Sequence, residues 1–205
     1  MRIIYFDCRN GVSGDMLHAA ARGLLDDDRG HSHRSYAEVK DMIRSCSISP
    51  GAKEKALSIY AVIAEAEASV HGTTVEDVHF HEVGRRKAME NVIGLSACMD
   101  ALGADKVLCS EICDGKGQIE CSHGTIPVPA PAVMAMRERC GLVFTTDESV
   151  KTEMVTPTGL ASLIGLGAVH CEGMPAGTAV RKSVAYGARD TGKGGGLTAY
   201  LLETT

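Results

Sequence analysis

The run Ile3-Ile4-Tyr5-Phe6, closed by Asp7-Cys8 and followed by Arg9-Asn10-Gly11-Val12-Ser13-Gly14-Asp15-Met16, is the most constraining stretch of the chain. A short, unbroken apolar run fits a buried strand. Two glycines with Asn and Ser make a tight loop after it. Ser13 or Asp15 can cap a helix running to about Leu25. A loop from strand end to helix start collects backbone N–H groups and can hold an anion. Asp7 and Asp15 flank it, which suits a cation or a ribose hydroxyl better than a bare phosphate. The loop carries neither the P-loop pattern nor the dinucleotide fingerprint. An ordinary capped β-to-α turn would read the same way.

Beyond this unit the pattern alternates. Tyr36 to Cys46 has an apolar stripe at helical spacing (Val39, Met42, Ile43), and Ser49-Pro50 starts a helix that ends near Val70, before Gly72. A further helix runs from Glu82 or Val83 to Met99. Asp105 to Cys113 reads as a strand. Gly115-Lys116-Gly117 then turns, and Gln118 to Cys121 is predicted to pair back on it. Thr125-Ile126-Pro127-Val128-Pro129-Ala130-Pro131 reads as a rigid extended segment outside any sheet interior, leading into a helix from Ala132 to Arg139. Thr156 caps a helix from Pro157 to about Ile164. Ala179 to Tyr186 and Leu197 to Leu202 form a hairpin about the Gly187–Gly196 loop. The fold class expected is α/β or α+β: a mixed β-sheet flanked by helices, with a β-rich C-terminal portion. One domain over residues 1–205 is expected, with sub-parts 1–145 and 146–205.

The densest chemistry lies in His79-Phe80-His81-Glu82-Val83-Gly84. In an extended chain, His79 and His81 share one face and Phe80 takes the other. Imidazole nitrogen with carboxylate oxygen suits first-row divalent ions such as nickel, zinc, iron or cobalt. One surface histidine and one core histidine would give the same sequence. His31-Ser32-His33 lies in a polar loop-like stretch.

Composition removes several classes. Asp and Glu (26) outnumber Lys and Arg (21), there is no Trp, and the longest basic run is Arg85-Arg86-Lys87. No phosphate-backbone footprint of a nucleic-acid binder is present. No apolar segment approaches the ~18 residues of a membrane span, and the N-terminus lacks a signal-peptide pattern. The eight cysteines contain no C-x-x-C pair and fit reduced thiols in a cytoplasmic protein. Cys8 stands apart, because it follows a strand and opens the Gly-rich turn.

Four runs, in this order, resemble the LarC family of nickel-insertion proteins of the nickel-pincer nucleotide pathway. They are Asp7-Cys8 with Gly11 to Met16; His79 to Gly84; His123-Gly124 with Ile126 to Pro131; and Glu153 with Val155-Thr156-Pro157-Thr158-Gly159. Ala64 to Ala68, Val70-His71-Gly72 and Tyr186-Gly187-Ala188 look similar too. The resemblance implies insertion of nickel into a pyridinium bis-thiocarboxylate mononucleotide, coupled to cytidine triphosphate hydrolysis with a second divalent cation, Mn or Mg. Family members are longer and carry a C-terminal domain implicated in nucleotide-triphosphate binding, which a separate subunit would have to supply. Lys87 and Asn91 stand where the family carries aspartates.

On this reading His79, His81, Glu82, Asp7 and Asp15 are the metal ligands. Ser13, Gly14, Thr156 and Thr158 contact the mononucleotide. His123 orients it or accepts a proton, and Cys8 offers a thiolate for metal transfer. Partners are the mononucleotide and that separate subunit, with no nucleic acid and no membrane, and the chain forms a homo-oligomer. A non-catalytic metal- or ligand-binding subunit and a metal-dependent hydrolase are the other readings the residues allow.

Overall fold

The structure is a computed structural model that describes residues 1–22, 24, 35–80, 83–121 and 124–204. The apolar run at the N-terminus forms β1 (Arg2–Asp7), and the Gly-rich turn feeds α1 (Gly14–Arg22). Next comes α2 (Tyr36–Ser45), opened by a reciprocal pair in which Ser35 Oγ accepts from the Glu38 amide and Glu38 accepts from the Ser35 amide. The long helix α3 (Pro50–His71) has the signals its sequence carries: Ser49 caps it, Pro50 fills the first turn, and Gly72 ends it at φ 63°. The helix α4 (Arg86–Leu102) begins a few residues later than the sequence predicts.

The central sheet is built from both ends of the chain. β2 (Lys106–Cys109) lies parallel to β1, with Ile4 opposite Val107. The last strand, β9 (Leu197–Glu203), lies antiparallel on the other side of β1, with Tyr5 opposite Tyr200. β7 (Val169–His170) and β8 (Thr178–Ala185) complete the order β7-β2-β1-β9-β8. The sheet is mixed, as predicted, and the C-terminal hairpin β8–β9 is there too.

Two expectations change. The predicted strand from Asp105 to Cys113 is divided into β2 and β3 (Ile112–Asp114), which pairs with β6 (Phe144–Thr146) instead of the main sheet. The break lies at Ser110, whose hydroxyl accepts from the Cys8 amide and whose own amide donates to Phe6. β4 (Gly117–Cys121) does not pair back on that strand. It pairs with β5 (Gly124–Val128), so Pro127 sits within a two-stranded ribbon, opposite Gln118. A ribbon has only edge strands, and an edge tolerates a residue with no N–H.

One face of the sheet carries the main core. Ile4, Phe6, Ala199 and Leu201 meet Leu17, Ile59, Tyr60, Val92, Leu95 and Leu160 from the helices. Burying each such large side chain stabilises the fold by roughly 1.5–3 kcal/mol. Glycines let the helices approach: a β-carbon at Gly165 of α6 (Pro157–Gly165) would lie 2.6 Å from Ile59 Cα in α3. Lys55 and Ser49 both bind Asp100, tying the start of α3 to the end of α4. α5 (Pro131–Arg137) buries Ala132, Val133 and Met136 in the same core.

Candidate functional site

The first and fourth runs, some 140 residues apart in sequence, form one backbone seam. Val12 pairs with Val155 as an isolated parallel bridge. The Val12 amide donates to Met154 O at 2.8 Å, and the Thr156 amide donates to Val12 O at 3.0 Å. Gly11 has φ 86°, and a β-carbon there would lie 2.5 Å from Met154 O. A β-carbon at Gly159 would lie 2.7 Å from Val12 O. Only hydrogen fits at either position, so the glycines let the seam close.

Asp114 underlies the seam. It is fully buried, and its Oδ1 accepts from the amides of Gly115 (2.8 Å), Met154 (2.9 Å) and Val155 (3.2 Å). Oδ2 has no partner among the described residues. Burial pushes the Asp114 carboxyl above the ordinary carboxylate range, although the three amides and Arg137 pull the other way.

The seam sets the starts of α1 and α6 side by side. Thr156 Oγ1 accepts from the Gly159 amide at 3.1 Å, and the Ser13 hydroxyl donates to Asp15. A β-carbon at Gly14 would meet the Thr158 methyl at 2.7 Å. The first turns of both helices therefore face a cleft of about 740 Å³. All four runs contribute to it: Gly14 and Asp15, then Val83, then Ala130 and Pro131, then Glu153, Thr156 and Thr158. A neighbouring cleft of about 440 Å³ lies under the Gly187–Gly196 loop and shares Asp15, Glu153, Thr156 and Arg189 with the first.

The predicted site residues separate into groups. Gly14, Asp15, Thr156 and Thr158 line the main cleft, and Ser13 lines its neighbour. Asp7 does neither. Both of its carboxylate oxygens are held by Arg9, with Arg9 Nε 2.8 Å from Oδ1, and this pairing keeps the carboxyl below its ordinary range. Cys8 faces the core with no exposed surface, and burial pushes its thiol well above the usual range. A reactive thiolate needs the opposite surroundings, partly exposed and electropositive. The sequence shows that Cys8 ends a strand, but not that the turn folds it inward.

His79 is exposed, while Val78 is buried and Phe80 is half-buried against the rings of Tyr36 and Tyr60. The alternation read from sequence holds at these three positions. His79 Nδ1 lies 2.9 Å from Asp77 O, so this nitrogen carries the proton and Nε2 offers the lone pair. The ring is not among the groups lining either cleft. His81, Glu82 and His123 lie outside the described residues, as do His31 and His33. No group of three His, Cys, Asp or Glu among the described residues is placed to hold a metal ion.

Sequence reasoning gave no role to several residues that border the main cleft: Glu67, His71, Arg85 and Arg189. Glu67 and His71 did carry a signal, their i, i+4 spacing at the end of a helix. Arg189 carried none, since nothing local to a Gly-rich loop tells of its 2.9 Å ion pair with Glu153.

Residues 22–204 match the family described as nickel insertion protein. A putative nickel insertion protein of Methanosarcina mazei is 42% identical over 77% of this chain and 39% of its own length. One from Roseiflexus castenholzii is 35% identical over 80% of this chain and 51% of its own length. A pyridinium-3,5-bisthiocarboxylic acid mononucleotide nickel insertion protein of Acetivibrio thermocellus is 34% identical over 98% of this chain and 60% of its own length. The chain thus spans about half the length of the curated relatives it matches. No solved structure matches it. With a match across most of its length and relatives at this level of identity, the chain belongs to the nickel insertion protein family.

Proposed function

We propose that this chain binds a pyridinium-3,5-bisthiocarboxylic acid mononucleotide in the 740 Å³ cleft and presents it to Ni(II), the cargo of the reaction. The observation that carries this reading is the meeting of all four runs on one cleft, with the first turns of α1 and α6 turned toward it. The positive end of each helix dipole favours a phosphate there. Gly14 and the Thr156 and Thr158 side chains border the place proposed for that anion. Lys87 adds positive charge to the same cleft, and Val83, Ile119, Ile126 and Pro131 give the flat ring an apolar seat.

Nickel is proposed to be received by the His79-His81-Glu82 run, with Asp15 as an oxygen donor at the cleft. Metal binding releases protons from its ligands, and His123 is proposed to accept one or to orient the mononucleotide. Cytidine triphosphate hydrolysis with a second divalent cation, Mn or Mg, is proposed to accompany the insertion. A non-catalytic carrier is the second reading, favoured by Lys87 and Asn91 standing where the family carries aspartates. Turnover of cytidine triphosphate by the purified chain alone would remove that alternative.

The test is calorimetric titration of the mononucleotide into the full chain and into Thr158→Val. Valine keeps the methyl that packs on Gly14 and removes the hydroxyl. A hydrogen bond to a charged group contributes about 1.5–3 kcal/mol, so a loss of roughly 10- to 100-fold in affinity is expected. No binding to the unaltered chain, or equal binding to both, overturns the assignment of the cleft.

A further inference from the structure

We infer that Glu67 and His71 form a nickel-holding pair on the cleft itself, a place where cargo metal waits for the mononucleotide to complete its coordination. The inference rests on the reading of the cleft given above. Residues four apart on a helix stand one above the other on the same face, and in α3 this places His71 Nε2 3.3 Å from Glu67 Oε2. Both side chains border the main cleft. Glu67 is sunk, with 14% of its side chain exposed, while His71 keeps 36%. The carboxylate is thus held in place and the imidazole stays reachable by an arriving ion.

The surroundings favour a cation here. Both residues lie in the last two turns of the 22-residue helix α3, the negative end of its dipole. Among the described residues, Asp15 takes the Ser13 hydroxyl, Glu120 the Thr125 hydroxyl, and Glu153 the Arg189 guanidinium. Glu67 is paired with a group that is itself a metal ligand. Imidazole nitrogen and carboxylate oxygen also suit Ni(II), which accepts tetragonal N and O donors.

Two protein ligands are few for a resident metal, and no third His, Cys, Asp or Glu among the described residues completes a site. For a metal that must be handed over, open positions are what the chemistry needs. The sulfur atoms of a bis-thiocarboxylate could take those positions while the protein pair still holds the ion. Release to the product would then require the loss of the Glu67 and His71 bonds.

The experiment titrates Ni(II) alone into the full chain and into Glu67→Gln, His71→Ala and His79→Ala, following heat and the imidazole resonances of histidine-labelled protein. Circular dichroism confirms that each variant is folded. Loss of a supporting outer-shell group already costs about 10- to 100-fold in metal affinity, so Glu67→Gln and His71→Ala should each lose at least that much. In the unaltered chain the His71 resonance should be broadened by paramagnetic Ni(II). Unchanged nickel affinity in both variants, or a His71 resonance that stays sharp at saturation, overturns the inference. Mononucleotide binding to the unaltered chain is measured separately. If it persists while the pair proves silent, the cleft reading stands and only the metal position falls.

Discussion

The Cys8–Gly14 turn and the Gly187–Gly196 loop both border the paired clefts, yet they are held by different means. The turn is fixed by backbone: two interstrand-type hydrogen bonds to residues 154–156, and glycines with no room for a β-carbon. The loop is held by side-chain ion pairs, Arg189 on the buried Glu153 and the half-exposed Lys193 on Asp147. In the middle of the loop Gly192 and Gly194 have nothing within 4 Å of an added β-carbon, whereas at its end Gly195 packs on Asn10 and Gly196 on Ala185 O. Backbone seams fix geometry to a fraction of an ångström, because a shift breaks several bonds together. Exposed ion pairs contribute little each and can exchange with water. The contrast suggests a rigid wall opposite a wall that can open, and single substitutions can test each side.

The largest effect should come from Asp114→Ala. Three buried amides lose their acceptor, and leaving such groups unsatisfied costs about 1–3 kcal/mol each, so a loss of about 4 kcal/mol in urea unfolding is expected. Asp114→Asn separates charge from shape. Burial raises the folded carboxyl above its unfolded value, so the folded state holds the proton more tightly. Stability from this group is therefore present at low pH and lost as pH rises from the unfolded value, about 3.9, through the raised one. The asparagine variant should not show that decline. A parallel pH dependence in both proteins would mean that Asp114 is not the titrating group.

Next in size is Gly159→Ala. Its β-carbon would press on Val12 O and Ser13 Cα, backbone atoms that cannot swing aside. Overpacking of this kind costs about 3 kcal/mol. The same unfolding experiment reads it, and mononucleotide affinity should fall as the starts of α1 and α6 separate. If Gly159→Ala were as stable as the unaltered chain, the seam would be looser than the hydrogen bonds imply.

What the sequence disclosed follows the same division. Caps and breakers are local chemistry, so Ser49-Pro50 and Gly72 mark α3, and Thr156-Pro157 marks α6. The β8–β9 hairpin was legible because its glycine-rich connection is local too. Partner choice between distant segments was not. Nothing in Gln118–Cys121 says that it pairs forward with residues 124–128 rather than back, and strand pairing depends on register across the whole sheet. For the site, the four runs were visible, and so was the alternation that turns His79 away from Phe80. Which way that face looks depends on Phe80 seating against Tyr36 and Tyr60, with Tyr60 Oη donating to Val83 O at 3.1 Å. Asp7 borders neither cleft because it pairs with the guanidinium two residues on, a contact its sequence does not announce. Glu67 and His71 were legible as a spacing, but packing alone decides that their side of α3 faces the cleft.

The smallest effects belong to the loop, and they complete the comparison. Arg189→Ala removes a pair whose guanidinium side is 47% exposed, so solvent screening limits its contribution to stability to about 1 kcal/mol. Glu153 is buried at the edge of both clefts, and the loop that Arg189 anchors should then lift more often. Limited proteolysis within residues 187–196 should quicken several-fold while global unfolding barely moves. Gly194→Ala is the matching control for Gly159→Ala, the same methyl added where space is open and the backbone is not in the left-handed region. It should change stability by no more than about 0.5 kcal/mol, and a small gain is reasonable because alanine restricts the unfolded chain more than glycine does. A cost at Gly194 close to that at Gly159 would show that the loop is packed as tightly as the seam, and the division into a fixed and an opening wall would fail.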